Sequence, residues 1–182
     1  MNWLNVAFVL GAAFLAVFWE AAFSSVRHLM GAQIDLLPPL MVYAALCTGL
    51  TTVTLLALCG GLWFDSLSAN PLGVAVLPLF AIGLAIHLKR DLILRDQTFA
   101  RLVLGLGASA ATPVLTLLLL LTMGKAPLLG WGTLWQLLVM TIGGAIATPI
   151  CFELFAWLQR TLVHNRAVQP SFRPDREIRR GR

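Results

Sequence analysis

The sequence predicts an all-α integral membrane protein whose chain crosses the bilayer several times. Hydrophobic residues make up 59% of the chain and charged residues only 12%, whereas a soluble domain has about 25% charged residues. Long apolar runs fill most of residues 3–160. Only helices and closed barrels satisfy every backbone hydrogen bond in lipid, and a barrel would show short alternating strands. The continuous apolar runs therefore indicate a bundle of helices.

The N-terminal half contains one clear span and one ambiguous stretch. Trp3–Phe23 is long enough to cross the membrane, since about 20 apolar residues suffice. Residues 36–67 form an almost unbroken apolar run. This run is either one long tilted helix, or two short helices over Pro39–Thr48 and Thr51–Phe64 that are broken near Gly49. The first alternative gives five membrane helices in total, and the second gives six.

The C-terminal half predicts three further spans. They cover Pro71–Leu88, Leu102–Met123 and Trp131–Leu158. A basic connection, His87–Arg101, separates the first two spans, and a short loop with Lys125 separates the last two.

Basic residues indicate which connections face the cytoplasm, because cytoplasmic loops collect Lys and Arg. The connection between residues 87 and 101 contains four bases, and the chain from Arg160 onward contains seven. Both are expected in the cytoplasm, which places the turn after Asp65 on the outside. Six helices would leave two bases outside and five would leave one, so the charge rule slightly favours five.

Composition divides the chain into two parts. Residues 1–160 are expected to form the transmembrane helical domain. Residues 161–182 form an Arg-rich cytoplasmic tail that is expected to be disordered, because it has almost no apolar periodicity. Such a tail either binds anionic lipid or an acidic protein, or only fixes the topology.

The most distinctive stretch is residues 60–73, where two apolar helices meet at a polar turn. A helix with paired glycines ends near Asp65, whose carboxylate is expected to accept hydrogen bonds from N–H groups at the start of the next helix. Asn70 is expected to cap that helix, with Pro71 in its first turn, where a missing N–H costs nothing. The motif residues are Gly60, Gly61, Asp65, Ser68, Asn70, Pro71, Leu72 and Gly73.

Few other residues in the apolar segments offer chemistry. Glu20 lies near the predicted outer surface, where we expect it to be solvated. Glu153 lies about two turns before Arg160 and is expected either to extend toward the cytoplasm or to pair with that arginine, and a proton or ion relay is the alternative. His87 is expected at the cytoplasmic interface. Asp65 either fixes its loop or contacts a partner or substrate.

No catalytic, cofactor-binding or metal-binding constellation is predicted. The run Gly107-Ala108-Ser109-Ala110 lacks the final glycine of the G-x-S-G motif of intramembrane serine proteases, and all three histidines lie at segment ends. No metal-ligand spacing, P-loop or dinucleotide fingerprint occurs. The sequence therefore predicts a protein that is not an enzyme and needs no cofactor.

Small residues four positions apart predict close packing of helices in lipid. The pairs are Ala57 with Gly61, Gly105 with Ser109, and Gly143 with Ala147. Packing within the chain is the first expectation, and contact with a helix of another protein is the alternative.

The stretch around Asp65 resembles the rod shape-determining protein MreD family. The resemblance rests on a Gly-Gly helix followed by Phe64-Asp65-Ser66-Leu67-Ser68, then Pro71-Leu72-Gly73-Val74 and an apolar helix that ends in basic residues. It covers residues 58–90, and the rest of the chain matches in hydropathy and length. The Arg-rich tail does not map onto the family pattern.

The resemblance implies a non-enzymatic subunit of the cell-elongation (rod) complex in the bacterial cytoplasmic (inner) membrane, with a cytoplasmic C-terminus. Such a subunit would pair with the bitopic protein MreC. It would link MreB filaments to the peptidoglycan synthases, a RodA-type polymerase and a class-B penicillin-binding protein, and so maintain cell shape. Membrane lipid is the remaining expected partner, and no nucleic acid is expected.

The MreD family is also similar in fold to the six-helix substrate-binding subunits of energy-coupling-factor vitamin transporters. This similarity favours six helices over five, against the slight preference of the charge rule. It also gives the alternative function, a substrate-binding subunit of a vitamin transporter. Asp65, Glu20 and Trp63 would then line a ligand pocket near the outer face.

Overall fold

The structure is a computed structural model that describes residues 3–22, 34–68, 71–90, 98–124 and 130–164. Its regular elements over these ranges are six helices and no strand. They are α1 (Trp3–Ala22), α2 (Leu37–Cys47), α3 (Leu50–Leu67), α4 (Val76–Lys89), α5 (Thr98–Thr122) and α6 (Trp131–His164). The features predicted at Asn70, at Lys125 and in the tail from residue 165 lie outside the described residues.

Four of these helices are long and apolar enough to cross a membrane. The spans are Asn5–Ala22, Leu50–Leu67, Thr98–Thr122 and Trp131–Leu158. The helices α2 and α4 are apolar but shorter. The predicted class, an all-helical protein with membrane-spanning segments, is confirmed at this level.

The chain divides into two compact units, Met1–Phe152 and Glu153–Arg182. Five complete helices and most of α6 belong to the first unit. The described part of the second unit is the end of α6, which continues to His164. The relations between helices given below all lie within the first unit.

The ambiguous apolar run after residue 36 forms two helices, α2 and α3, as the second alternative predicts. The chain leaves the helical conformation at Thr48, whose backbone is extended and whose N–H and hydroxyl both bond to the carbonyl of Ala44 (2.9 and 2.6 Å). Gly49 is also extended and directly precedes α3. The break thus lies at the predicted position, next to Gly49.

The short helix α2 is the centre of the first unit. Every residue from Leu37 to Leu46 is buried, and α2 contacts α1, α3, α4 and α5. The ring of Tyr43 also meets the ring of Phe152 on α6, edge to face, with centroids 5.2 Å apart. Because other helices surround α2, it does not need the length of a lipid-facing span.

Contacts between helices fix their relative directions. Glu20, near the end of α1, bonds to the backbone N–H of Leu36 just before α2. Leu37, at the start of α2, lies against Gly60 in the second half of α3. His87, near the end of α4, bonds to Ala45 near the end of α2. The helices α1 and α3 therefore run in one direction, and α2 and α4 run in the other.

The last two helices continue this alternation. Arg101, at the start of α5, lies over the ring of Phe152, which packs against Tyr43 in the second half of α2. Gly143, earlier in α6, packs against Ile34 just before α2. We call the end that contains Glu20, Asp35 and Asp65 the Asp65 end, and the end that contains His87 and Arg101 the His87 end.

Candidate functional site

The candidate functional site is the turn that joins α3 to α4, and Asp65 holds it. Asp65 is only 2% exposed. Its Oδ2 atom accepts hydrogen bonds from the backbone N–H groups of Gly73 (2.8 Å) and Ala75 (3.0 Å). These are the bonds that the sequence predicts, from a carboxylate at the end of one helix to N–H groups at the start of the next.

The turn needs this carboxylate because the start of α4 has no side-chain cap of its own. The N-cap residue of α4 is Ala75, which offers no side-chain acceptor. The first N–H groups of any helix lack partners within the helix, and water is scarce at an apolar helix end. Asp65 supplies the missing acceptor from the preceding helix.

The predicted start of the second helix is wrong. Residues 72–75 form turns and α4 begins at Val76, so Pro71 does not occupy a first helical turn. Gly73 has a positive φ of 92°, a conformation that favours glycine and that interrupts a helix begun at Pro71. The N-cap predicted at Asn70 lies outside the described residues, and the cap position is at Ala75.

Two other motif residues shape the turn. The backbone N–H of Ser68, the C-cap of α3, bonds to the carbonyl of Asp65 (3.2 Å). Leu72 is 71% exposed, so its side chain is directed away from the protein core. The turn therefore combines a buried carboxylate with an exposed apolar side chain.

The paired glycines let α3 approach its neighbours closely. A Cβ at Gly61 would lie 2.9 Å from the Cα of Val76, and a Cβ at Gly60 would lie 3.1 Å from Cδ2 of Leu37. The first distance is too short for any side chain, because the obstacle is backbone. Gly61 therefore allows the start of α4 to pack on α3 beside the Asp65 hydrogen bonds.

Glu20 is not solvated, contrary to the sequence-based expectation. It is partly buried, and its Oε1 atom accepts a hydrogen bond from the N–H of Leu36 (2.6 Å). The N–H at the start of α2 attracts a negative charge, because the helix dipole is positive there. Glu20 thus connects the end of α1 to the start of α2.

Asp35 is buried, although the sequence predicts an exposed connection between the first two apolar segments. It is 5% exposed, and its Oδ1 atom accepts from the N–H of Leu37 (2.9 Å). Burial raises the pKa of Asp35 to about 6 from its ordinary value of 3.8. Its position just before the Pro38-Pro39 start of a helix is the signal that could have identified it as a cap.

The His87 end has its own polar contact. The Nδ1 atom of His87 lies 3.0 Å from the carbonyl oxygen of Ala45, which is among the last carbonyls of α2. These carbonyls have no partners within the helix. The interfacial histidine predicted from the sequence therefore caps a buried helix.

The crossing of α5 and α6 is built from small residues. A Cβ at Gly105 would overlap the side chain of Thr148, and a Cβ at Gly144 would overlap that of Ser109. The predicted pair Gly105 and Ser109 is therefore in the contact. On α6 the contact uses Gly144 and Thr148 instead of the predicted Gly143 and Ala147.

The predicted pair of Glu153 and Arg160 does not form. Both residues are exposed, and among the residues that the structure describes no ion pair joins them. Pairing across two helical turns on an open face gains little, because water screens the charges. Trp63, proposed from the sequence as a pocket residue, packs edge-on against Phe14, with ring centroids 5.3 Å apart.

No group of three or more His, Cys, Asp or Glu side chains within the described ranges could hold a metal ion. Comparisons of the chain with protein-family models, with curated proteins and with solved structures found no match.

Proposed function

We propose that the chain is a non-enzymatic scaffold subunit of the bacterial cell-elongation complex, similar to MreD. It would lie in the cytoplasmic membrane with its C-terminus in the cytoplasm. There it would act with MreC to connect MreB filaments to the RodA-type polymerase and the class-B penicillin-binding protein. In this role the shape of the membrane domain, rather than bond-making chemistry, provides the function.

The observation that supports the proposal most is that Asp65 joins the two parts of the motif, the end of α3 and the turn before α4, by hydrogen bonds. The glycine of the first half, Gly61, packs against the start of α4, and Gly73 of the second half donates to the carboxylate. Gly61 is needed because a side chain there would collide with backbone, and Gly73 because its φ is positive. Asp65 is needed because its carboxylate accepts the hydrogen bonds. A motif built in this way presents a fixed surface at the Asp65 end, as a scaffold requires.

The first test is depletion of the protein from its rod-shaped host. We expect the cells to become round and MreC to be recovered with the tagged protein after solubilisation. Cells that stay rod-shaped, together with a purification that contains no MreC, would contradict the proposal.

A second test links the proposal to the Asp65 turn. Asp65→Ala should lower the recovery of MreC, whereas the control Ser66→Ala should not. Ser66 is the next residue and is exposed, and its hydroxyl bonds to the carbonyl of Trp63 in its own helix. Recovery would be normalised to the amount of folded protein, so that lost stability is separated from lost contact. If both variants recover the same normalised amount of MreC, Asp65 does not contribute to the binding of MreC.

The transporter alternative has a different expected result. A substrate-binding subunit needs polar groups that orient a ligand in a pocket. In the structure, Glu20 and Asp65 bond to backbone N–H groups. The groove between α4 and α5 is lined by apolar side chains and by Thr122, whose hydroxyl bonds to Leu119 in its own helix. A vitamin that remains bound during purification would favour this alternative over the scaffold.

A further inference from the structure

The described charges of the first unit are separated between its two ends. Lys89 and Arg90 close α4, and Arg101 lies in the first turn of α5. All three belong to the His87 end. The described acids of the same unit all belong to the Asp65 end.

The bases of α4 and α5 lie at nearly the same level of the bundle. The guanidinium of Arg101 is 4.6 Å from the ring centre of Phe152, and this ring packs against Tyr43. His87 bonds to Ala45, only two residues farther along α2, which is about 3 Å along the helix axis. Lys89, Arg90 and Arg101 therefore all lie near the level at which α2 ends, and we call these three residues the belt.

Apolar side chains flank the belt and indicate its depth in the membrane. Leu88 is 70% exposed next to Lys89, and Phe99 is 73% exposed one helical turn or less from Arg101. Exposed apolar side chains beside long basic side chains suit the boundary between hydrocarbon and headgroups, where the basic ends extend toward phosphate. In sequence, the whole stretch from His87 to Arg101 holds four Lys or Arg against two Asp, so its charge is net positive.

We propose that the His87 end binds the headgroups of anionic phospholipids, such as phosphatidylglycerol, through exposed Lys89, with Arg90 and Arg101 adding positive charge at the same level. The occupant is identified by charge complementarity at the depth where lipid phosphates lie. Each basic side chain near a negatively charged membrane surface contributes enough to change affinity about fivefold. The surface does not depend on the scaffold function, and a negative result for either proposal leaves the other standing.

Lys89 allows the cleanest test, because it is exposed and can be changed without altering the core. The full-length protein in detergent micelles would be titrated with phosphatidylglycerol or phosphatidylcholine, and thermal unfolding would be followed. A lipid that binds the folded chain raises the unfolding temperature by an amount that grows with the ratio of its concentration to its dissociation constant. We expect the apparent affinity for phosphatidylglycerol to exceed that for phosphatidylcholine.

The substitutions Lys89→Arg, Lys89→Gln and Lys89→Glu form a charge series. The preference for phosphatidylglycerol should be retained in the first variant, fall about fivefold in the second and fall further in the third. The same changes at Lys125, which the sequence predicts on the opposite side, serve as the control and should leave the preference unaltered. High salt should weaken the preference, because it screens exposed charges.

Three results would overturn the proposal. One is equal affinity of the unaltered protein for the two lipids. Another is an equal loss of preference in the Lys89 and Lys125 series, which would indicate a general effect of net charge. The third is equal stabilisation by water-soluble glycerol phosphate, which would indicate a site for free phosphate instead of lipid.

Discussion

At Asp65, a single carboxylate oxygen satisfies two backbone N–H groups in a place where water is scarce. Asp65→Ala would leave the N–H groups of Gly73 and Ala75 without this acceptor. A buried group without a partner costs about 1–3 kcal/mol, so we expect a loss of roughly 3 kcal/mol in the free energy of unfolding.

Asp65→Asn retains an acceptor oxygen, so its loss should be less than half as large. The variants would be compared by thermal or denaturant unfolding in one detergent, with the exposed neighbour Ser66→Ala as the control. If Asp65→Ala and Ser66→Ala unfold alike, the hydrogen bonds seen at Asp65 do not stabilise the turn.

The glycines of α5 provide a second test at the scale of single residues. A Cβ at Gly105 would overlap Thr148, whereas a Cβ at Gly107 has open space around it. Gly105→Ala should therefore separate α5 from α6 and destabilise the protein by about 1–3 kcal/mol.

Gly107→Ala is the matched control, because it makes the same chemical change two residues away in the same helix. It should be neutral or slightly stabilising, since alanine favours helices over glycine. The unfolding free energies of the two variants in one detergent decide the matter. A neutral Gly105→Ala would contradict the tight crossing.

At the scale of elements, α2 is a short buried helix whose two ends are satisfied by side chains. His87 bonds to the carbonyl of Ala45, a residue with no exposed surface. His87→Ala should cost about 1–2 kcal/mol, because a buried carbonyl loses its donor. His87→Gln, which can still donate, should cost less. The free energy of unfolding would be measured for these variants, with exposed Lys89→Ala as the control. If His87→Ala and Lys89→Ala lose similar free energies of unfolding, His87 does not cap α2.

The other end of α2 predicts a dependence on pH. Burial raises the pKa of Asp35 to about 6 from 3.8, so the folded chain binds the proton more tightly than the unfolded chain. The free energy of unfolding should therefore fall as the pH rises from about 4 to about 6, by up to about 3 kcal/mol.

Asp35→Asn keeps an acceptor for Leu37 but removes the titration, so its stability should change less over the same pH range. Parallel pH profiles for the unaltered protein and the variant would show that Asp35 does not control the effect.

The starts of the helices show what local sequence could and could not predict. The break next to Gly49 was predicted as one of two alternatives, because a long apolar run does not itself reveal where the chain reverses. The helix predicted from Pro71 begins at Val76, since Gly73 and Ala75 bond to Asp65 in the preceding helix. A cap supplied from elsewhere in the chain is not visible in the local pattern of Asn followed by Pro.

At the scale of the whole molecule, hydropathy located the apolar helices but did not predict all of their lengths or their contacts, since the span predicted over Pro71–Leu88 is the shorter helix α4. The spans near Trp3–Ala22 and Trp131–Leu158 follow directly from apolar length. The spacing of small residues predicted that Gly105 would be in a tight contact. It did not predict that the facing residue would be Gly144, because neighbouring small residues on α6 fit the same pattern and only the fold decides which face meets α5.

The alternating directions of the helices give the last prediction, which separates six membrane helices from five. The start of α1 belongs to the His87 end, together with exposed Cys47, the last residue of α2. Ser66, also exposed, belongs to the Asp65 end.

Single cysteines at positions 3, 47 and 66, with the other native cysteines replaced by serine in each variant, would be exposed to a membrane-impermeant thiol reagent in intact and permeabilised cells. In the six-helix arrangement, the cysteine of Trp3→Cys should react like Cys47 and only after permeabilisation, whereas that of Ser66→Cys should react in intact cells. If the cysteine at position 3 reacts like that at 66, the chain crosses the membrane five times and α2 does not count as a crossing.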